Sequence, residues 1–120
     1  FINIDKEIAT FSKFWLQDIL RNKMGFTGII FSDDLSMKGS DYVGGIEAKV
    51  GKALESGCNM VLVCNDRPAA VGAINFLEKE EISQSHKITK LKALKSISWA
   101  DLEKDTRRKD IIGKLKTIEK

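Results

Sequence analysis

The chain has 120 residues, of which 42% are hydrophobic and 31% charged, and its 20 Lys/Arg against 17 Asp/Glu give a net charge of +3. That length holds one domain at most. No apolar stretch approaches the roughly 20 residues needed to cross a bilayer, and Asp5, Lys6 and Glu7 interrupt any secretion signal at the start, so a cytoplasmic protein without a membrane partner is expected.

Residues 1–11 read as irregular, with Phe1 to Ile4 the end of a strand. Ser12 is a good N-cap for a helix running to about Met24, and Phe14, Trp15, Leu16, Ile19, Leu20 and Met24 give that helix a broad apolar face. Gly25 stands where a left-handed residue ends a helix. Gly28 to Ser32 is a short apolar run, the pattern of a strand buried on both faces in a parallel sheet. The run ends abruptly in Asp33 and Asp34. Parallel α/β folds carry their chemistry at the carboxyl ends of strands, so Asp33 is the candidate catalytic group; a helix cap or loop-organising carboxylate is the competing reading. Asp34 points the opposite way, because side chains alternate along a strand, and reads as structural.

A loop with Gly39, Gly44 and Gly45 follows. Ile46 to Ser56 reads as a helix with Ile46, Val50, Ala53 and Leu54 inward, stopped by Gly57. Asn59 to Cys64 is a second apolar strand, ending in Asn65 and Asp66. Asp66 caps the next helix, which has Pro68 in its first turn and runs to about Leu77. Lys79 to Lys87 is the most loop-like stretch. Ile88, Leu91 and Leu94 give a short amphipathic set, and Ser98 with Asp101 resembles a capping box for a helix from Trp99 toward Ile118.

Cys58 and Cys64 stand six strand residues, roughly 20 Å, apart, too far to pair. Both read as reduced and buried, and without further Cys or His nearby no metal or other cofactor is expected. Residues 79–120 carry 12 Lys/Arg against 7 Asp/Glu, but acids are interspersed and a stacking pattern of aromatics is missing. The stretch therefore reads as a solvated helical surface, with no nucleic-acid partner. His86 is read as a solvated loop residue, and Trp15 and Trp99 as packing aromatics.

Two strands that are apolar on both faces do not close a sheet. The order helix–strand–loop–helix–strand–helix matches part of a repeating α/β array, and a whole (β/α)8 barrel needs about 250 residues. The expected architecture is a single partial α/β domain: residues 1–78 the last βα units of a TIM-type barrel, and 79–120 a C-terminal helical extension. Such a piece exposes apolar sheet edges through which it is free to self-associate.

The run from Leu20 to Met37, LRNKMGFTGIIFSDDLSM, resembles the nucleophile segment of bacterial β-N-acetylglucosaminidases of glycoside hydrolase family 3. So does Ser56 to Asp66, SGCNMVLVCND, and the upstream Ala9 to Leu16 also fits. The resemblance implies a TIM-type barrel and an exo-acting hydrolase that removes N-acetylglucosamine from muropeptides during cell-wall recycling. It implies retention of configuration through a covalent glycosyl-enzyme, with the first acid of the Ser-Asp-Asp run, Asp33, as nucleophile. Met37 is a candidate for contact with the sugar, and equally a packing residue. The family's acid/base, a histidine supported by an aspartate on an earlier loop, has no counterpart in this sequence, so the chain alone is expected to be inactive.

Two other classes fit parts of the sequence. Paired acids after a strand also occur in Mg²⁺-binding α/β domains, which need a second acid site at another strand end. A non-catalytic module binding a partner through its basic C-terminal helices is the other alternative.

Overall fold

The computed structural model describes residues 3–83, 86–93 and 95–118. Phe1, Ile2 and Leu94 lie outside the described residues, as do the side chains of His86 and Lys87, so the reading of His86 as solvated falls there too. Asn3 and Ile4 form a turn. The rest of the N-terminal stretch is not wholly irregular: Ala9–Phe11 forms a 3-10 turn that buries Thr10 and Phe11.

Ser12 caps the first helix as its position predicts, its Oγ accepting from the Trp15 amide at 3.0 Å and donating to the Asp5 carboxylate. The helix itself, Phe14–Lys23, winds as a π-helix rather than an α-helix. Side-chain hydrogen bonds tie this helix to its surroundings. Gln17 donates to the Ser56 carbonyl at 3.2 Å. Arg21 donates to the carbonyls of Phe26 at 2.8 Å and Gly28 at 2.6 Å, and to Asn59 Oδ1 at 2.8 Å. Gly25 ends the helix with φ +66°.

Two parallel strands follow, β1 (Phe31–Asp34) and β2 (Met60–Leu62). Both differ in extent from the apolar runs that signal them. β1 starts later than Gly28–Ser32 and includes both acids; β2 is shorter than Asn59–Cys64. Pairing is what fixes the limits: the Ile30 carbonyl accepts from Asn59 at 2.8 Å and from Met60 at 3.2 Å, and the Leu35 amide donates to Leu62 at 2.9 Å. Phe31 faces Met60 and Asp34 faces Leu62, so β1 holds one residue more than β2 between those pairs. Ser32 accommodates the surplus, its hydroxyl accepting from the Leu62 amide at 2.9 Å and donating to the Asp33 carbonyl at 2.6 Å.

The glycine-containing loop is partly ordered as a 3-10 turn, Lys38–Val43. Helix α1 (Ile46–Ser56) ends at Gly57, whose φ of +120° and closeness to Gln17 leave no room for a side chain. Helix α2 (Arg67–Lys79) is capped by Asp66, which accepts from the Ala69 amide at 2.9 Å, and extends past Leu77 to Lys79. The core joins Phe11, Leu16, Ile30, Leu35, Val50, Ala53, Cys58 and Ala73, with Ile46 and Leu54 packed against it. Cys58 and Cys64 are both free; Cys58 is buried, its thiol pushed up to about 11 by desolvation, whereas Cys64 is exposed.

After α2, His86–Leu91 forms a 3-10 turn. The single helix expected from Trp99 to Ile118 is two, α3 (Trp99–Lys104) and α4 (Thr106–Ile118), broken at Asp105. Asp105 adopts extended ψ and its carboxylate accepts from the Arg108 amide at 2.6 Å, making it the N-cap of α4. Trp99 is 82% exposed and does not pack in the core, because α3 meets α4 rather than the α1–α2 layer. The radius of gyration, 18.9 Å, exceeds the roughly 14 Å of a compact chain of this length.

Candidate active site

The carboxyl end of β1 collects the acids. Asp33 is exposed on the same side of the strand as Phe31, while Ser32 is buried behind it. Its amide donates to Thr10 Oγ1 at 3.0 Å, and its Oδ1 accepts from the Asp34 amide at 2.8 Å. Among the described residues Oδ2 receives no hydrogen bond. It is the kind of carboxylate oxygen that attack on an electrophile requires: held by its partner oxygen, open on the other side.

Asp34 is placed differently. Its Oδ1 accepts from the Ser36 amide at 3.0 Å and from the Cys64 amide at 3.0 Å, and its Oδ2 from the Ser36 hydroxyl at 2.7 Å. The carboxylate thus fastens the end of β1 to the end of β2. The Cys64 amide first, then the Ser36 hydroxyl and amide, hold its carboxyl below the ordinary value of 3.8. The stability this gives is present above that ordinary value and lost as pH falls through the lower, folded one. Acid titration of the melting temperature will therefore show Asp34→Asn less stable than wild type at neutral pH, with the gap closing below about pH 4. A gap that stays constant through the acid range refutes the clamp.

Asp33, Asp34, Leu35 and Met37 line one depression of about 170 Å³ together with Ile8, Thr10 and Ser40. Met37, half exposed, stands at its edge, so both sequence-predicted site residues share one pocket. Beneath it lies a group that sequence reasoning passed over. Lys49, only 6% exposed, donates to the Leu35 carbonyl at 3.0 Å and to Asp41 Oδ1 at 2.7 Å, pinning both ends of the loop that bears Met37. The signal was available, since Lys49 falls on the inward stripe of α1 beside Val50 and Ala53. Thr10 and Ser32 gave no such signal, because their partners are distant backbone groups. Asn65 and Asp66 do not join the pocket; Asp66 is spent on its helix cap.

A parallel βαβ unit whose first strand ends in an open carboxylate is the arrangement in which parallel α/β folds place their active sites, at the carboxyl ends of strands. The profile of the glycosyl hydrolase family 3 N terminal domain matches residues 1–96, and the chain belongs to that family. It is 42% identical over 109 residues to the beta-hexosaminidase of Mannheimia succiniciproducens, covering 87% of this chain and 31% of that protein. The beta-hexosaminidase of Idiomarina loihiensis is 53% identical over 72 residues, covering 60% of this chain and 22% of that one. Among solved structures, native NagZ from Neisseria gonorrhoeae superposes with a TM-score of 0.59 at 33% identity, over 75% of this chain and 25% of that one. NagZ in complex with N-trifluoroacetyl-D-glucosamine gives 0.57 at 36%, over 75% and 24%. The chain spans about a third or less of the length of the curated relatives it matches.

Proposed function

We propose that this chain supplies the nucleophile and the closing strands of a retaining exo-hydrolase that removes terminal β-linked N-acetylglucosamine from muropeptides, in the cytoplasm, during peptidoglycan recycling. Asp33 Oδ2 attacks the anomeric carbon, the bond to the leaving oxygen breaks, and water later hydrolyses the glycosyl-enzyme. The observation that carries this reading is an exposed carboxylate, unencumbered at one oxygen, at the end of a parallel strand in a chain of this family. Asp34 does not serve as the general acid, because three hydrogen bonds and a lowered pKa keep it ionised. The leaving group is protonated by a part of the fold outside this chain, and Met37 contacts the sugar from the pocket's edge. The choice of sugar is supported by the beta-hexosaminidase names of the relatives and by the glucosamine derivative bound to the Neisseria protein.

The architecture we propose is the last two strands of a (β/α)8 barrel over residues 1–78, with 79–120 a helical extension. Support comes from the uncovered surface. Phe31 and Leu62 are exposed on the strands, each of which has a free edge in the two-stranded sheet. A groove of about 690 Å³ lined by Ile8, Trp15, Leu16, Ile19, Leu20 and Met24 runs along the first helix, as neighbouring barrel elements require. Left alone, these edges favour self-association.

The test joins the chain to the first two thirds of the Mannheimia relative. The fusion hydrolyses an aryl N-acetyl-β-glucosaminide and the isolated chain does not. Turnover by the pure chain alone, or a folded but inert fusion, overturns the reading; the inert fusion favours the non-catalytic interaction module.

A further inference from the structure

The C-terminal helices carry a surface that the core does not use. No residue of α4 is buried, and the family profile ends at residue 96, before α3 begins. At 100° per residue, Ile111, Ile112, Leu115 and Ile118 fall within one arc of about 120°. Ile111, Leu115 and Ile118 are 45%, 54% and 77% exposed. The rest of the helix circumference holds Arg107, Lys109, Lys114 and Lys116, and Asp110 is the single acid against five Lys/Arg in residues 106–118. Arg108 falls within the apolar arc, where its long stem lets the guanidinium reach toward the polar side. At the start of α3, which packs on α4, Ile97 and Trp99 are exposed as well.

We propose that the α3–α4 unit adsorbs to an anionic lipid bilayer, with the aliphatic stripe of α4 in the headgroup boundary and its flanking cations on the lipid phosphates. Charge complementarity selects this occupant. A basic face alone suits any polyanion, but nucleic acid is gripped by aromatics interleaved with the cations, and residues 106–118 contain none. An aliphatic stripe with cations on both flanks is the pattern of a helix lying in a membrane interface. The expectation of no membrane partner rested on the lack of a spanning segment, and none of the described helices is long and apolar enough to cross a membrane. Lying on a surface is a separate property with separate requirements.

The experiment is co-sedimentation of the full chain with vesicles containing phosphatidylglycerol and with vesicles of phosphatidylcholine alone. Binding to the anionic vesicles only, weakened by salt and accompanied by a blue shift of tryptophan emission that Trp99→Phe diminishes, supports the proposal. Lys109→Gln with Lys116→Gln lowers the partition coefficient about 30-fold, a loss of two interfacial cations. Leu115→Gln also lowers it, while far-UV circular dichroism of all variants stays native because α4 contributes nothing to the core. Equal binding to neutral vesicles, or binding untouched by these substitutions, overturns the proposal and assigns adsorption to the open apolar face of the βαβ unit. No binding at all, or equal affinity for heparin without an emission shift, overturns it too.

Discussion

In the enzyme completed by fusion, Asp33→Asn lowers the rate of aryl N-acetyl-β-glucosaminide hydrolysis by about 10⁴-fold or more. The amide is close to isosteric, and its oxygen still accepts the Asp34 amide, so the pocket keeps its shape. What disappears is the anionic oxygen that bonds to carbon. Azide discriminates this role from a merely structural one: entering the space vacated in Asp33→Ala, it attacks from the nucleophile's side and yields the α-configured glycosyl azide. A β-configured product, or a rate within tenfold of wild type for Asp33→Asn, removes Asp33 from the role.

Leu35→Ala destabilises the fold by about 3 kcal/mol in urea unfolding. Leu35 is 1% exposed and joins the core directly after the two acids, between β1 and the loop that Lys49 holds. Truncation leaves a void bounded by strand ends already committed to their hydrogen bonds, so little collapse is available to fill it. Leu35→Met, which conserves volume, costs under about 1.5 kcal/mol. Similar losses for both variants contradict a tightly packed site at Leu35.

The elements were legible where local chemistry decides them. Ser12, Asp66 and Ser98 were readable as caps and do cap, and Gly25 and Gly57 have the positive φ that helix ends favour. Val50 and Ala53 follow from helical spacing. Asp33 stood out as a candidate because an apolar run ends on it. What the sequence hid depends on contacts across the chain. The strand limits come from pairing near Ile30 and Leu62, the π winding of Phe14–Lys23 accompanies tethers to Ser56 and Asn59, and Asp105 broke a helix that periodicity alone runs straight through. Within the site, Thr10 lies 23 residues before its partner and Ser32 30 residues before its own, so no window of sequence reports them.

At Ser32 a side chain occupies a position that backbone fills elsewhere in a sheet, so the aim of the neighbouring acid is written in a mutable letter. Removing that hydroxyl strands the Leu62 amide and frees the Asp33 carbonyl, so the strand end that carries both acids loosens. A lineage can thus displace that carboxylate while its codon stays intact, by drift at the serine before it.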